Sequence, residues 1–277
     1  MIGDWPYEPR PALAPADHLK AVGAQVLSRF DARTQDSGNV SFAIEVAGRR
    51  WFVKTAGDPA DPSPFLAHPA RVALLGNAAR VARSLAHPAL PRLHGELASA
   101  WGPMLVYDWV PGELLRAPAS QRDDPANAHQ RFRALPADEI VAALTAAIDV
   151  HARLCARGWV ACDFYDGSMI YDFAGRRLSL VDLDSYHMGP FVNEMGRMFG
   201  STRFMAPEEL QRGAAIDERT TVFMLGRAIS VFLSDGTLEA AAFRGTASQH
   251  SAMLAACRPR PADRLQSVAE LAAALSS

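Results

Sequence analysis

Cysteine is scarce: three in 277 residues, Cys155, Cys162 and Cys257, none at metal-ligand spacing from another. That excludes a disulfide framework and a zinc module, and fits a reduced chain with a cytoplasmic location. No apolar run approaches the roughly 18–20 residues of a membrane span, so none is expected. The opening MIGDWPYEPRPALAP lacks a basic segment followed by an apolar core, so it does not read as a signal peptide. An excess of one charge is also missing. Twenty-eight Lys and Arg against 30 Asp and Glu leave a net charge of −2, and no global basic field for nucleic acid or an anionic membrane. There is no internal repeat. What is present is 49% hydrophobic residues, enough for one large domain or two small lobes.

Residues 1–25 read as a Pro-rich arm, extended to about residue 15, with Asp17 as the cap of a short helix through Val22. Loose alternation from Val26 to Arg33, then Val40–Val46 and Trp51–Lys54, predicts three antiparallel strands. Gly57 and the Pro-rich run to Pro64 predict a loop. Val72, Leu75, Ala79, Ala82 and Leu85 then recur at helical spacing until His87-Pro88. Strands follow at Leu93–Ala98 and Met104–Val110. Beyond Pro111-Gly112 the pattern becomes helical: 128–133 capped by Asn127, 136–157 stopped by Gly158, 220–233, 238–243 extending to about 250–257, and 266–275. Between these helices, Met169–Tyr171 and Leu178–Val181 predict a hairpin, followed by a long polar loop, 186–202. The expectation is an α+β chain: a small β-rich lobe with one main helix (26–110), a hinge, and a larger helical lobe (111–277), with a cleft at the hinge.

Asp163 precedes the hairpin and Asp182 ends its second strand, so both carboxylates return to one side of the molecule. Like charges brought together are costly unless a metal or a base role compensates; the alternative is two unrelated turn aspartates. Lys54 ends an apolar strand, and alone it reads more readily as an edge lysine with its stem on apolar surface. Together, a lysine and two carboxylates supply what phosphoryl transfer needs: a cation for phosphates, a ligand for Mg²⁺ and a proton acceptor.

Their order along the chain resembles the protein kinase superfamily over roughly residues 26–275. Trp51-Phe52-Val53-Lys54 resembles the strand with the phosphate-pairing lysine. Leu105–Val110 followed by Pro111-Gly112 resembles the hinge. Ala161–Ser168 stands where the catalytic loop belongs, Val181-Asp182-Leu183-Asp184 where the metal-binding Asp-Phe-Gly belongs, and Gly200–Glu208 resembles the end of an activation segment, including Ala-Pro-Glu. The resemblance implies a bilobal kinase-like fold, ATP and Mg²⁺ as cofactors, and a protein substrate or signalling partner, with transfer to a hydroxyl such as that of Ser or Thr. It implies Asp163 and Lys54 as catalytic residues. It further implies Gly38, Ala43, Lys54, Tyr107 (the gatekeeper position), Asp108, Val110 and Ile170 around the nucleotide. Asp182 would hold the metal with Ser168 or Asp166, and Glu208 would form a buried ion pair with Arg264.

The chain departs from that pattern in places. Asp36, Gly38 and Ser41 stand where the phosphate loop has three glycines, and Asp36 adds negative charge. Ala78, with Asn77 beside it, replaces the helix glutamate that would pair with Lys54. Ser168 replaces the second metal-binding asparagine, Tyr165 a lysine, and Thr221 the aspartate that braces the catalytic loop. Phe52 would crowd adenine. Cys162 replaces the arginine that would await a loop phosphate, and Arg197 stands where the phosphorylated threonine would lie, so activation-loop phosphorylation is not expected to be required. These departures keep two alternatives open: a pseudokinase acting as a binding module, and a small-molecule kinase. His151, on the apolar stripe of its helix, reads as a core histidine.

Overall fold

The computed structural model describes Trp5, Tyr7–Asp31 and Gly38–Ser276. Asp36, expected in the phosphate loop, lies outside the described residues. The fold is α+β, with a five-stranded antiparallel sheet and seven α-helices among the described residues. No helix among them is long and apolar enough to cross a membrane. By internal packing the chain divides into two units: Met1–Ala86 with Pro91–Val110, and His87–Leu90 with Pro111–Ser277.

In the first unit, helix α1 (Pro15–Ala21) precedes strands β1 (Gln25–Phe30), β2 (Val40–Val46) and β3 (Arg49–Thr55). Helix α2 (His68–Ser84) and strands β4 (Leu93–Ser99) and β5 (Gly102–Asp108) complete it, in the sheet order β1-β2-β3-β5-β4. The period-2 alternation of β2 and β3 sorts side chains onto two faces. Phe42, Ile44, Trp51, Val53, Met104 and Val106 share one face with Leu19 of α1 and with Trp5. Trp5 is buried edge-on against Trp51, ring centroids 5.6 Å apart. The other face sets Phe52, Leu105 and Tyr107 against Leu75, Ala78 and Ala79 of α2. The N-terminal arm is thus part of this unit's core, because a two-faced apolar sheet needs a cover on each side. Asp17 does not cap α1; the helix starts at Pro15, whose fixed φ suits a first turn, and Asp17 lies within that turn.

One charged side chain is built into this unit. Arg71 of α2 is buried, and its guanidinium donates to the carbonyls of Gly38 (2.6 Å), Ala56 (2.6 Å) and Asp58 (3.1 Å). Those carbonyls belong to irregular backbone with no ladder partners, so the side chain satisfies them. Gly38 is packed so closely that a Cβ there would meet Pro64 at 2.2 Å.

The second unit begins with β6 (Glu113–Leu114), then α3 (Ala128–Arg133) and α4 (Ala137–Cys155). Asn127 caps α3, its side chain accepting from Gln130 N at 2.8 Å. Ile140, Leu144, Ala147, Ile148, His151 and Leu154 form the buried stripe of α4. Strands β7 (Trp159–Val160), β8 (Met169–Asp172), β9 (Arg177–Leu180), β10 (His187–Met188), β11 (Phe191–Val192) and β12 (Ala215–Ile216) follow. β8 and β9 form the expected hairpin with β6 alongside, while β7 pairs with β10 and β11 with β12. The segment expected as a loop, 186–202, therefore contains two short strands. Helices α5 (Glu218–Leu233) and α7 (Val268–Ser276) pack against α4, and α6 (Ala247–Ala256) packs against α5 and α7. Residues 238–243 are not helical beyond one 3₁₀ turn, Ala240–Ala242; α6 starts instead at the Thr246–Gln249 capping box.

Candidate functional site

Two ladders bring Asp163 and Asp182 onto facing arms. Val160 pairs with His187 at one end, and Met169 with Leu180 at the other. Between them run 161–168, carrying Asp163, and 181–186, carrying Asp182. The arms are tied by Val181 N donating to Ser168 O at 2.9 Å. Both aspartates have left-handed backbone, φ 58° at Asp163 and 61° at Asp182; among the described residues the other two non-glycine residues in that region, Ala47 and Arg176, lie in turns. Such conformations cost free energy and persist where the surroundings over-determine them, which is common at functional sites. Asp163 is half-buried and Asp182 exposed.

The surroundings are specific. Thr221 Oγ1 of α5 accepts from Ala161 N at 3.0 Å, so the threonine braces this arm although the expected aspartate is absent. A Cβ on Gly200 would lie 3.5 Å from Asp163 Oδ1, so the end of the 186–202 segment passes directly beside that carboxylate. Tyr165 packs against Gly167, where a Cβ would meet its ring at 2.3 Å. Burial, with help from the charges of Asp163, Asp182 and Asp166, pushes the Tyr165 phenol up to about 12. Tyr186, raised chiefly by its burial, also feels both Asp163 and Asp182. Two phenols each within the field of both aspartates agree with carboxylates on facing arms.

Asp166 has another commitment. It is buried, and its Oδ2 takes Arg203 Nη2 at 2.5 Å with His129 Nδ1 at 3.5 Å. Burial works against both charges of the Asp166–Arg203 pair, raising the carboxyl's pKa and lowering the guanidinium's, and their contact offsets this. His129, desolvated and crowded by Arg203 and Arg133, is pushed down to about 4, so it is neutral; its Nδ1 donates to Leu115 O at 3.2 Å. Ser168 is buried at the foot of the same turn. Among the described residues no three His, Cys, Asp or Glu side chains converge to hold a metal. Asp182 and Ser168 therefore fit Mg²⁺ only where phosphate oxygens and water complete the shell, which is how that ion is usually held.

In the first unit, Lys54 is buried, opposite Ser41 on one side and Leu105 on the other. It lies on the α2 face with Phe52 and Tyr107, which pair across β3 and β5, and Ala43 pairs with Phe52 on the same face. Phe52 also packs against Phe30 at 6.0 Å. Asp108 Oδ1 accepts from His94 (2.8 Å) and Arg49 (2.6 Å), and its amide donates to Arg92 O. Val110 follows the end of β5. In the second unit Ile170 sits in β8, paired with Leu114 and Ser179.

Arg264 donates to both carboxylate oxygens of Glu208, at 2.6 and 2.8 Å, and Thr220 Oγ1 adds a third contact to Glu208 at 2.8 Å. Next to it Glu209 is buried and accepts from Ala206 N at 2.7 Å; burial raises its carboxyl to about 7. His151 is buried, its Nδ1 donating to Ala147 O and its Nε2 accepting from Tyr186 OH at 2.7 Å; desolvation lowers it to about 4. The sequence does not single out Arg71, Arg116, Arg122 or Arg203, since nothing in a lone arginine's neighbours along the chain tells whether it meets a carbonyl, a carboxylate or water. Compared with protein-family models the chain matches none, and the curated proteins searched give no match either.

Proposed function

We propose that the chain is an ATP- and Mg²⁺-dependent phosphotransferase of the protein kinase type, with a small β-rich and a larger helical unit as in that superfamily. The observation that carries this is the pair of left-handed aspartates, Asp163 and Asp182, on facing arms within one electrostatic neighbourhood. Asp163 positions the acceptor hydroxyl and takes its proton as the new P–O bond forms and the bond to the leaving diphosphate breaks. Asp182, with Ser168, holds the metal side; Asp166 is left to Arg203. Mg²⁺, when bound, neutralises charge on the phosphates. Lys54 of the first unit supplies the phosphate-pairing cation.

A second reading, a pseudokinase binding module, is favoured by Phe52, whose ring occupies the face that also bears Lys54 and Tyr107. Thermal unfolding with and without ATP and Mg²⁺ separates the two. Saturating nucleotide at 100 times its Kd stabilises by about 2.7 kcal/mol. A Mg²⁺-dependent rise in melting temperature that Asp182→Asn removes supports the phosphotransferase. No shift with any nucleotide supports the binding module.

A further inference from the structure

We propose that Arg116, Arg122 and Arg203 form an anion-recognising subsite beside Asp163, and that the segment presented to Asp163 is an acidic peptide with carboxylate or phosphate side chains near its acceptor hydroxyl. This rests on the phosphotransferase reading and adds the substrate class. All the residues belong to the second unit. Arg116 stands over the Tyr165 ring, 5.9 Å from its centroid, and is exposed. Arg203 reaches Asp166 at 2.5 Å and lies over Phe204 at 5.2 Å; Phe204 in turn meets Tyr165 edge-on at 6.5 Å. Arg116 thus directly meets the ring of Tyr165, two residues from the base, and Arg203 reaches it only through Phe204. Arg122 is fixed through its carbonyl, which accepts from Gln130 Nε2 at 2.7 Å.

Around Arg203 the positive charges outnumber the carboxylates. Asp166 feels Arg203, Arg122 and Arg116 together, and Arg203 feels Arg122, Arg133 and Arg227 as like charges. The one buried carboxylate among them is shared with Arg203. Arg116 and Arg122 have no ion pair within 4.0 Å and no side-chain hydrogen bond among the described residues. Arg122 Nε is moreover buried with no acceptor, a donor whose desolvation nothing in the fold offsets. Guanidinium forks suit carboxylate and phosphate oxygens equally, so both sources of anion belong to the same subsite.

The test uses the full-length protein and four serine peptides, flanked by glutamate, phosphoserine, glutamine or lysine. It reads kcat/KM for transfer, phosphate release to water, and peptide binding by fluorescence anisotropy at low and high salt. The expected result is about tenfold preference for an anionic peptide over the glutamine peptide, the product of one exposed and one partly exposed charge contact. That preference weakens with salt, falls to parity in Arg116→Gln/Arg122→Gln, and returns in Arg116→Lys/Arg122→Lys. The glutamate and phosphoserine peptides separate carboxylate from phosphate as the anion. Transfer without preference, or with preference for lysine, overturns the subsite while leaving the phosphotransferase intact. If phosphate reaches neither peptide nor water, the phosphotransferase reading fails. The binding arm then decides alone: anionic binding lost in the glutamine variant upholds the subsite, and equal binding of all four peptides overturns it.

Discussion

Arg264 makes five hydrogen bonds, two to Glu208 and three to the carbonyls of Arg258, Arg219 and Pro259. Removing Glu208 leaves a buried guanidinium without its countercharge, a loss of about 3–5 kcal/mol. Glu208→Ala and Arg264→Ala should each lower the urea midpoint accordingly, and the double variant should lose less than their sum. Titration acts in two directions. His151 and His129, held near 4 against about 6.5 unfolded, bind fewer protons folded than unfolded. Their stability is present above pH 6.5 and lost as pH falls toward 4, about 3 kcal/mol for His151 alone. Glu209, raised to about 7, contributes stability at low pH that is lost as pH rises from about 4.5 through 7. Glu209→Gln should therefore be more stable than the natural chain at pH 8, with the difference closing toward pH 4.5; a less stable variant at pH 8 would contradict the assignment. At this scale the chain was legible where a residue's type limits its role, as for Asn127. It was illegible where the partner is distant backbone, as for Arg71 on Gly38.

The elements follow their periods where they are long enough to have one. β2 and β3 alternate over seven residues each, and α4 carries its stripe over 19. Strands β7, β10, β11 and β12 have two residues each, too few for any period, yet the β7–β10 pair closes the frame around Asp163 and Asp182. Capping signals mislead where a stronger starter sits nearby, as Pro15 does beside Asp17. The Thr221 brace was visible only as a missing aspartate, because a hydroxyl accepts from an amide as a carboxylate does. Thr221→Ala leaves Ala161 N buried and unpaired, which costs about 1–3 kcal/mol. The expected signature is a fall in kcat with nucleotide affinity unchanged, since the arm carrying Asp163 loosens while Lys54 and its strand are untouched.

Over the whole molecule, the α+β class and the change from strands to helices near residue 110 were legible in composition and periodicity. The sealing of the sheet by the N-terminal arm was not, because Trp5 sits in a Pro-rich stretch without pattern. Trp5→Ala removes a fully buried indole from against Trp51, and the first unit should lose about 3–5 kcal/mol in chemical denaturation. The phosphotransferase assignment rests on the two aspartates of the second unit. It is tested most directly by incubating the protein with γ-labelled ATP, Mg²⁺ and a mixture of peptides and following label on protein and peptide, for the natural chain and for Asp163→Asn. The natural chain should transfer label and Asp163→Asn should lose at least about 100-fold, with nucleotide binding retained. Transfer that survives Asp163→Asn, or a natural chain that binds ATP yet never transfers label, would contradict it.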